Sequence, residues 1–344
     1  MRTSFYLFLG IAFALAVLEA VLQLAPVNSG PRKLPTSADA PNFRFVPDQR
    51  YTYSVGWALD NARRGQINHD GFNNSLDMRD GAKAIVLGDS YIEALMLDYP
   101  DTVQGQLDQA LGGGVYAASA SGNGLADSLQ LMRELGPKFH PKNVILFVEA
   151  YDVSTLLEAP QRGHSGFVIN DGVVGMAHNN YQESKAKTLV FRSALARYAF
   201  NNLKFPNWFS AKMASLRRRT PQAVPDAAAV AAQRRQMLDY YFDQLHQLSA
   251  QQGSKVIFLI DADREQIYHD SPRSVSWQPG DREWIVQRVR DSGFALADMQ
   301  PALAQDWQRR HERFDFEPLD GHWNKLAHAL AAKRIQPLLA ASRD

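Results

Sequence analysis

Strand-like apolar runs recur along the chain at about 84 to 88, 115 to 118, 143 to 149, 255 to 260 and 294 to 297. Between and after them lie helical patterns near 101 to 111, 125 to 136, 226 to 252, 280 to 292 and 324 to 340. Such βα repetition predicts an α/β fold in which helices cover both faces of a parallel sheet. The alternation breaks between Pro160 and Pro225. There Gly166-Phe167-Val168-Ile169 and Val173-Val174-Gly175-Met176 flank Asn170-Asp171-Gly172, a turn signal that predicts a β-hairpin. A basic, aromatic, partly helical segment from Lys185 to Phe209 follows. An insertion of this kind either supplies a lid or substrate wall or is an excursion away from the site.

The amino-terminal pattern is of another sort. Phe5 through Ala25 is apolar almost throughout, interrupted only by Glu19 and Gln23, and at about 1.5 Å per residue such a helix is long enough to cross a bilayer. It reads as a retained membrane anchor, with a cleaved signal and a freely soluble secreted product as the alternative, because no good small-x-small cleavage site precedes Pro26. Arg2 before the span and Arg32 and Lys33 after it say little about orientation. Export of the large domain is the commoner outcome, which predicts an inner-membrane, single-pass protein with its domain on the periplasmic side. Glu19 and Gln23, four apart, share one helical face and mark either a helix partner or a polar end near the interface. Residues 26–80, rich in Pro, Asn, Asp and Gly with scattered aromatics, predict an irregular tether or collar, and 81–344 the main domain with its insertion at about 160–225.

Composition narrows the partners. The 344 residues are 45% hydrophobic and 21% charged, with a formal net charge of +1, values of a folded globular chain that give no reason to propose nucleic acid. Arg217-Arg218-Arg219 reads as solvated surface rather than a phosphate track. Zero cysteines are compatible with export without establishing it. No histidine and carboxylate cluster has a zinc spacing and no Gly-rich phosphate loop follows a strand, so neither metal nor nucleotide cofactor is expected.

The candidate chemistry sits where the first run ends. Ala84-Ile85-Val86-Leu87-Gly88-Asp89-Ser90-Tyr91 delivers Ser90 to the carboxyl end of a strand, the side on which open parallel sheets bind ligands. Far along the chain, Pro318-Leu319-Asp320-Gly321-His322-Trp323-Asn324 places a carboxylate two positions before a histidine, on a loop expected to lead into a helix capped by Asn324. A carboxylate so placed can orient an imidazole, whose other nitrogen can take a serine proton. His69, His140, His164, His178, His246, His269, His311 and His328 compete poorly for that role: none has a carboxylate two positions before it, and His311 lies in a charged helical stretch.

Gly88-Asp89-Ser90 and Asp320-Gly321-His322, in this order and at opposite ends of the domain, resemble the SGNH (GDSL-type) esterase and lipase family over roughly residues 82 to 340. The resemblance implies a flavodoxin-like three-layer parallel sheet, with Ser90 as nucleophile, His322 as base and Asp320 orienting it. It also implies an oxyanion hole from the N–H groups of Ser90 and Gly122, the latter in Ser121-Gly122-Asn123-Gly124 unless that residue is only a turn glycine. Two departures stand out. Glu149-Ala150-Tyr151-Asp152 puts Tyr151 where the family has an oxyanion-donating asparagine, leaving Tyr151 or Asn123 as third donors. One residue rather than two separates Asp320 from His322, a spacing similar to the polysaccharide-acetylation branch. The implied activity is a membrane-tethered ester hydrolase or O-acyltransferase acting on an acyl ester, with carbohydrate-linked envelope esters among the candidates. The altered Tyr151 keeps open a second reading, a non-catalytic binding or assembly component on the same scaffold.

Overall fold

The computed structural model describes residues 2–78, 80–205, 227–269 and 276–340. Residues 206–209 of the expected basic segment, the start of the expected helix at 226 and the Arg217-Arg218-Arg219 cluster lie outside the described residues. The chain divides into two compact units. One is drawn from Met1–Arg32, Gln49–Gln66 and Glu183–Val224, the other from Lys33–Asp48, Ile67–Gln182 and Pro225–Asp344. The division cuts across the expected 26–80 and 160–225 segments, because tertiary packing and not chain continuity decides which unit a loop joins.

In the smaller unit, the helix Arg2–Leu24 is long and apolar enough to cross a membrane by length and composition. An antiparallel hairpin pairs β1 (Arg50–Val55) with β2 (Asp60–Gln66). Among its described residues are also two short helices, Lys185–Val190 and Ala194–Arg197, and a π-helical turn at Tyr198–Asn202.

The larger unit is built on β3 (Ala84–Gly88), β4 (Val115–Ser119), β5 (Asn143–Val148), β8 (Lys255–Ile260) and β9 (Ala295–Asp298), all parallel, in the spatial order β4-β3-β5-β8-β9. This is the flavodoxin-like order. Alternate strand residues go to opposite faces. Ile85, Leu87, Tyr116 and Phe258 pack under Leu125–Phe139, Ala227–Gln252 and Asp281–Asp291, while Ala84, Val86, Ile145 and Leu259 pack under Val103–Leu111, Met299–Arg310 and Lys325–Ala340. Both faces are therefore dry, which is why the strands read as unbroken apolar runs. The hairpin β6 (Ser165–Asn170) and β7 (Val173–His178) belongs to this unit, with Phe167 buried in its core. Strand order reverses between β3 and β5, so the loops after these two strands open a crevice at the sheet's carboxyl edge.

Candidate active site

Ser90 is delivered to that crevice by the end of β3. A Cβ on Gly88 would stand 2.6 Å from Ile92 Cγ1 and 3.1 Å from Phe147 Cβ, so a larger residue would push the turn off the sheet. Asp89 caps the short helix Ser90–Glu93, its carboxylate accepting the Tyr91 N–H at 2.8 Å. Buried Glu93 accepts both the N–H and the hydroxyl of Ser121. That pair ties the serine turn to the loop after β4.

The histidine comes from 232 positions away. Asp320 and His322 lie not on a loop, as expected, but on a short strand, β11 (Asp320–Trp323), paired antiparallel with β10 (Asp315–Phe316). Side chains two apart on a strand share a face, so the single intervening residue sets carboxylate and imidazole side by side. Asp320 Oδ1 accepts the His322 backbone N–H at 3.0 Å and pairs closely with ring Nδ1. Ring Nε2 stands 2.7 Å from Ser90 Oγ. Asn324 follows as expected of a cap, its Oδ1 accepting the N–H groups of Leu326 and Ala327 at 2.9 and 3.3 Å.

What holds this ribbon in place was not read from the sequence. Buried Arg264, in the helix Arg264–Tyr268 after β8, donates to the Gly321 carbonyl at 2.8 Å, the Tyr91 hydroxyl at 2.6 Å, Asp315 at 3.2 Å and Asp261 at 3.3 Å. Asp261 also accepts the indole N–H of fully buried Trp323 at 2.9 Å. One guanidinium thus links the serine turn, the end of β8 and the histidine strand. The signal was the polar run Asp261-Ala262-Asp263-Arg264 directly after an apolar strand, at the edge where the chemistry is expected.

Ser90, Gly122, Asn123, Tyr151, Glu149 and His322 line one cleft of about 440 Å³. Gly122 has φ +94°, and a Cβ there would lie 2.9 Å from His164 Nε2, so both backbone conformation and space call for glycine. Asn123 donates a side-chain N–H to the Gly88 carbonyl at 3.3 Å, bracing the strand end. The Tyr151 hydroxyl accepts an N–H from Gln161, and burial raises its pKa, which keeps it a donor. Among the competing histidines, His328 is buried and accepts the Val103 N–H at 3.0 Å, and His164 stacks on Phe43.

The cleft floor is acidic. Burial pushes the Glu149 pKa up to about 7, and burial with mutual repulsion raises those of Asp89 and Asp152 well above the ordinary range. Glu149 accepts the Tyr151 N–H at 3.0 Å, and its own N–H goes to Asp152 at 2.9 Å. A carboxyl whose folded pKa stands above its unfolded value of 4.5 retains a proton that the unfolded chain has lost. Its stabilising contribution is complete below the unfolded value and is lost as pH rises through about 7. Unfolding free energy is accordingly expected to fall between about pH 5 and about pH 8, with a shallower slope for Glu149→Gln. Urea titrations across that range check this, and identical slopes would contradict it.

No protein-family model and no curated sequence matches the chain. Solved structures do. The chain is similar in fold to SGNH and GDSL-type hydrolases. The protein TesA is 15% identical, with 75% of this chain and 98% of that chain covered and a TM-score of 0.40. For the acetyl xylan esterase AlAXEase the values are 14%, 74%, 98% and 0.42. For a GDSL-like lipase from Bacteroides thetaiotaomicron VPI-5482 they are 12%, 77%, 89% and 0.36. Likeness at this level concerns fold and assigns no residue a role, so the chemistry is argued from this chain's own side chains.

Proposed function

We propose that the protein is a serine ester hydrolase or O-acyltransferase that works through an acyl-Ser90 intermediate. The observation that carries this reading is the hydrogen-bonded series Asp320, His322, Ser90. Ser90 Oγ attacks the ester carbonyl carbon while its proton passes to His322 Nε2, and Asp320 holds the ring tautomer and offsets the imidazolium charge. The tetrahedral intermediate collapses with cleavage of the ester C–O bond, and His322 returns the proton to the departing alkoxide. Water or an acceptor hydroxyl, deprotonated by the same nitrogen, then attacks the acyl-serine and frees Ser90.

Charge on the oxygen would be met by the N–H groups of Ser90 and Gly122, with Tyr151 as a third donor in place of an asparagine side chain. Asn123 is a weaker candidate because one of its amide hydrogens already serves Gly88. With Arg2–Leu24 spanning the bilayer and the larger unit on the extracytoplasmic face, the substrates within reach are acyl esters of the envelope, including carbohydrate-linked ones.

Treatment of the full-length protein with a fluorophosphonate tests the assignment. One adduct per chain, mapped to Ser90 by peptide mass spectrometry and absent in His322→Ala, is the expected result. Steady ester turnover with Ser90 unmodified would mean a different nucleophile, and neither labelling nor turnover would favour the non-catalytic binding component.

A further inference from the structure

The smaller unit carries a second feature, unconnected with ester chemistry. Glu19 lies inside the apolar helix, five residues before its end at Leu24 and so about 7.5 Å below it at the helical rise. It is not bare. Its carboxylate accepts the N–H groups of Ala194 and Leu195 and the hydroxyl of Ser193, each at 2.8 Å, and the Gln23 amide at 2.6 Å. Gln23 also donates to the Arg192 carbonyl at 3.3 Å. Leu22 and Ala194 are buried together, with Ala25, Leu195 and Tyr198 packed around them. A carboxylate at this depth is costly unless its hydrogen bonds are supplied, and residues 193–195 supply them.

We infer that residues 185–205 form a membrane-surface element that rests in the headgroup layer of an anionic bilayer beside the helix Arg2–Leu24. The inference rests on the proposal that this helix spans the bilayer. The span fixes depth: whatever bonds to Glu19 must sit at the level of the last helical turns, where hydrocarbon gives way to headgroups. The surface there is amphipathic. Leu189 and Phe205 are 66% and 54% exposed, and Val190, Phe200 and Leu203 are also exposed. Among the same residues stand Lys185, Lys187, Arg192, Arg197 and Lys204, with no acidic residue from 185 to 205. Trp57, 78% exposed, is held beside them by a 2.7 Å hydrogen bond from the Tyr198 hydroxyl to its carbonyl. Apolar and aromatic side chains mixed with cations suit the boundary between acyl chains and phosphates. Glu183, just before this stretch, pairs with Lys187 and Arg32, so cations stay in excess. A protein partner would also cover such a face, but continuity with the span and the excess of positive charge select lipid.

The chain has no cysteine, so single cysteines report cleanly. Full-length protein bearing Leu189→Cys or Phe200→Cys, labelled with an environment-sensitive dye, would be reconstituted into vesicles of phosphatidylcholine with phosphatidylglycerol. Phe13→Cys serves as the deep reference. Shallow nitroxide lipids are expected to quench the probes at 189 and 200, while aqueous iodide quenches them much less than free dye. Full iodide quenching with none from nitroxide would overturn the inference. Protection from iodide without nitroxide quenching would overturn it in favour of contact between copies of the chain. Should the Phe13 probe itself escape lipid quenching, the spanning proposal has failed and this inference falls with it. Lys185→Gln with Arg192→Gln is expected to lower the ratio of lipid-quenched to unquenched probe about fivefold or more in anionic vesicles and little in neutral ones. An equal effect in both would remove the headgroup attraction.

Discussion

Ser90→Ala is expected to lower kcat for a short acyl ester by about 10⁴-fold or more, with His322→Ala close behind and the double variant no slower than the worse single one. The reason is that serine and imidazole form one device. Without Oγ no acyl-enzyme forms, and without Nε2 at 2.7 Å the hydroxyl stays protonated at neutral pH and is a weak nucleophile. Asp320→Asn keeps the shape but changes which ring nitrogen carries the proton, so a loss of roughly 10³ to 10⁴ is expected. Residual turnover in each variant would reflect the oxyanion donors and substrate positioning alone. Initial rates of acid release on purified full-length protein decide the matter. A Ser90→Ala variant within about tenfold of the parent would end the acyl-serine proposal.

The second large effect is expected at Arg264. Replacing it by methionine leaves Asp261 without its guanidinium and Asp315 with Arg313 alone, and such a half-removed buried ion pair costs about 3 to 5 kcal/mol. Stability is not the whole consequence. The same nitrogens hold the Gly321 carbonyl, between Asp320 and His322, and the Tyr91 hydroxyl, whose ring centroid lies 4.9 Å from that of His322. A shift of the ribbon by an ångström would lengthen the 2.7 Å contact to Ser90, so kcat should fall by about 10² even in the fraction that stays folded. Arg264→Lys separates the two effects: it keeps a charge for the aspartates but cannot reach several acceptors with a planar fork. It should recover part of the stability and less of the rate. Urea unfolding and kcat measured on the same samples test this, and an Arg264→Met protein within about 1 kcal/mol of the parent would refute the structural half of it.

The strands and the order of the site blocks were legible because burial on both faces leaves its mark residue by residue. Ala84–Gly88, Val115–Ser119 and Lys255–Ile260 have hardly a polar side chain, and no neighbour in the fold is needed to see that they are interior. The turn at Asn170-Asp171-Gly172 was legible for the same local reason. The strand at Asp320–Trp323 was not. Its ladder partner is the two-residue Asp315–Phe316, too short to leave an alternation in the sequence, and the segment was expected as loop. Arg264 escaped notice because a charged residue after a strand looks like solvated surface until its four acceptors, all of them outside its own helix, are brought around it.

By itself, then, the sequence determined the parallel α/β sheet, the apolar amino-terminal helix and the identities of a serine, a histidine and an aspartate in a telling order. These are properties of composition and short-range spacing, which hydrophobic burial and turn chemistry convert directly into local structure. Only the tertiary structure decided that Asp320 and His322 share a strand face, that Arg264 pins them, that Glu19 is bonded to residues 193–195, and that the two compact units divide the chain differently from its linear segments. Most of those depend on groups far apart in sequence meeting at hydrogen-bonding distance, and the arrangement that brings them together is a property of the whole fold.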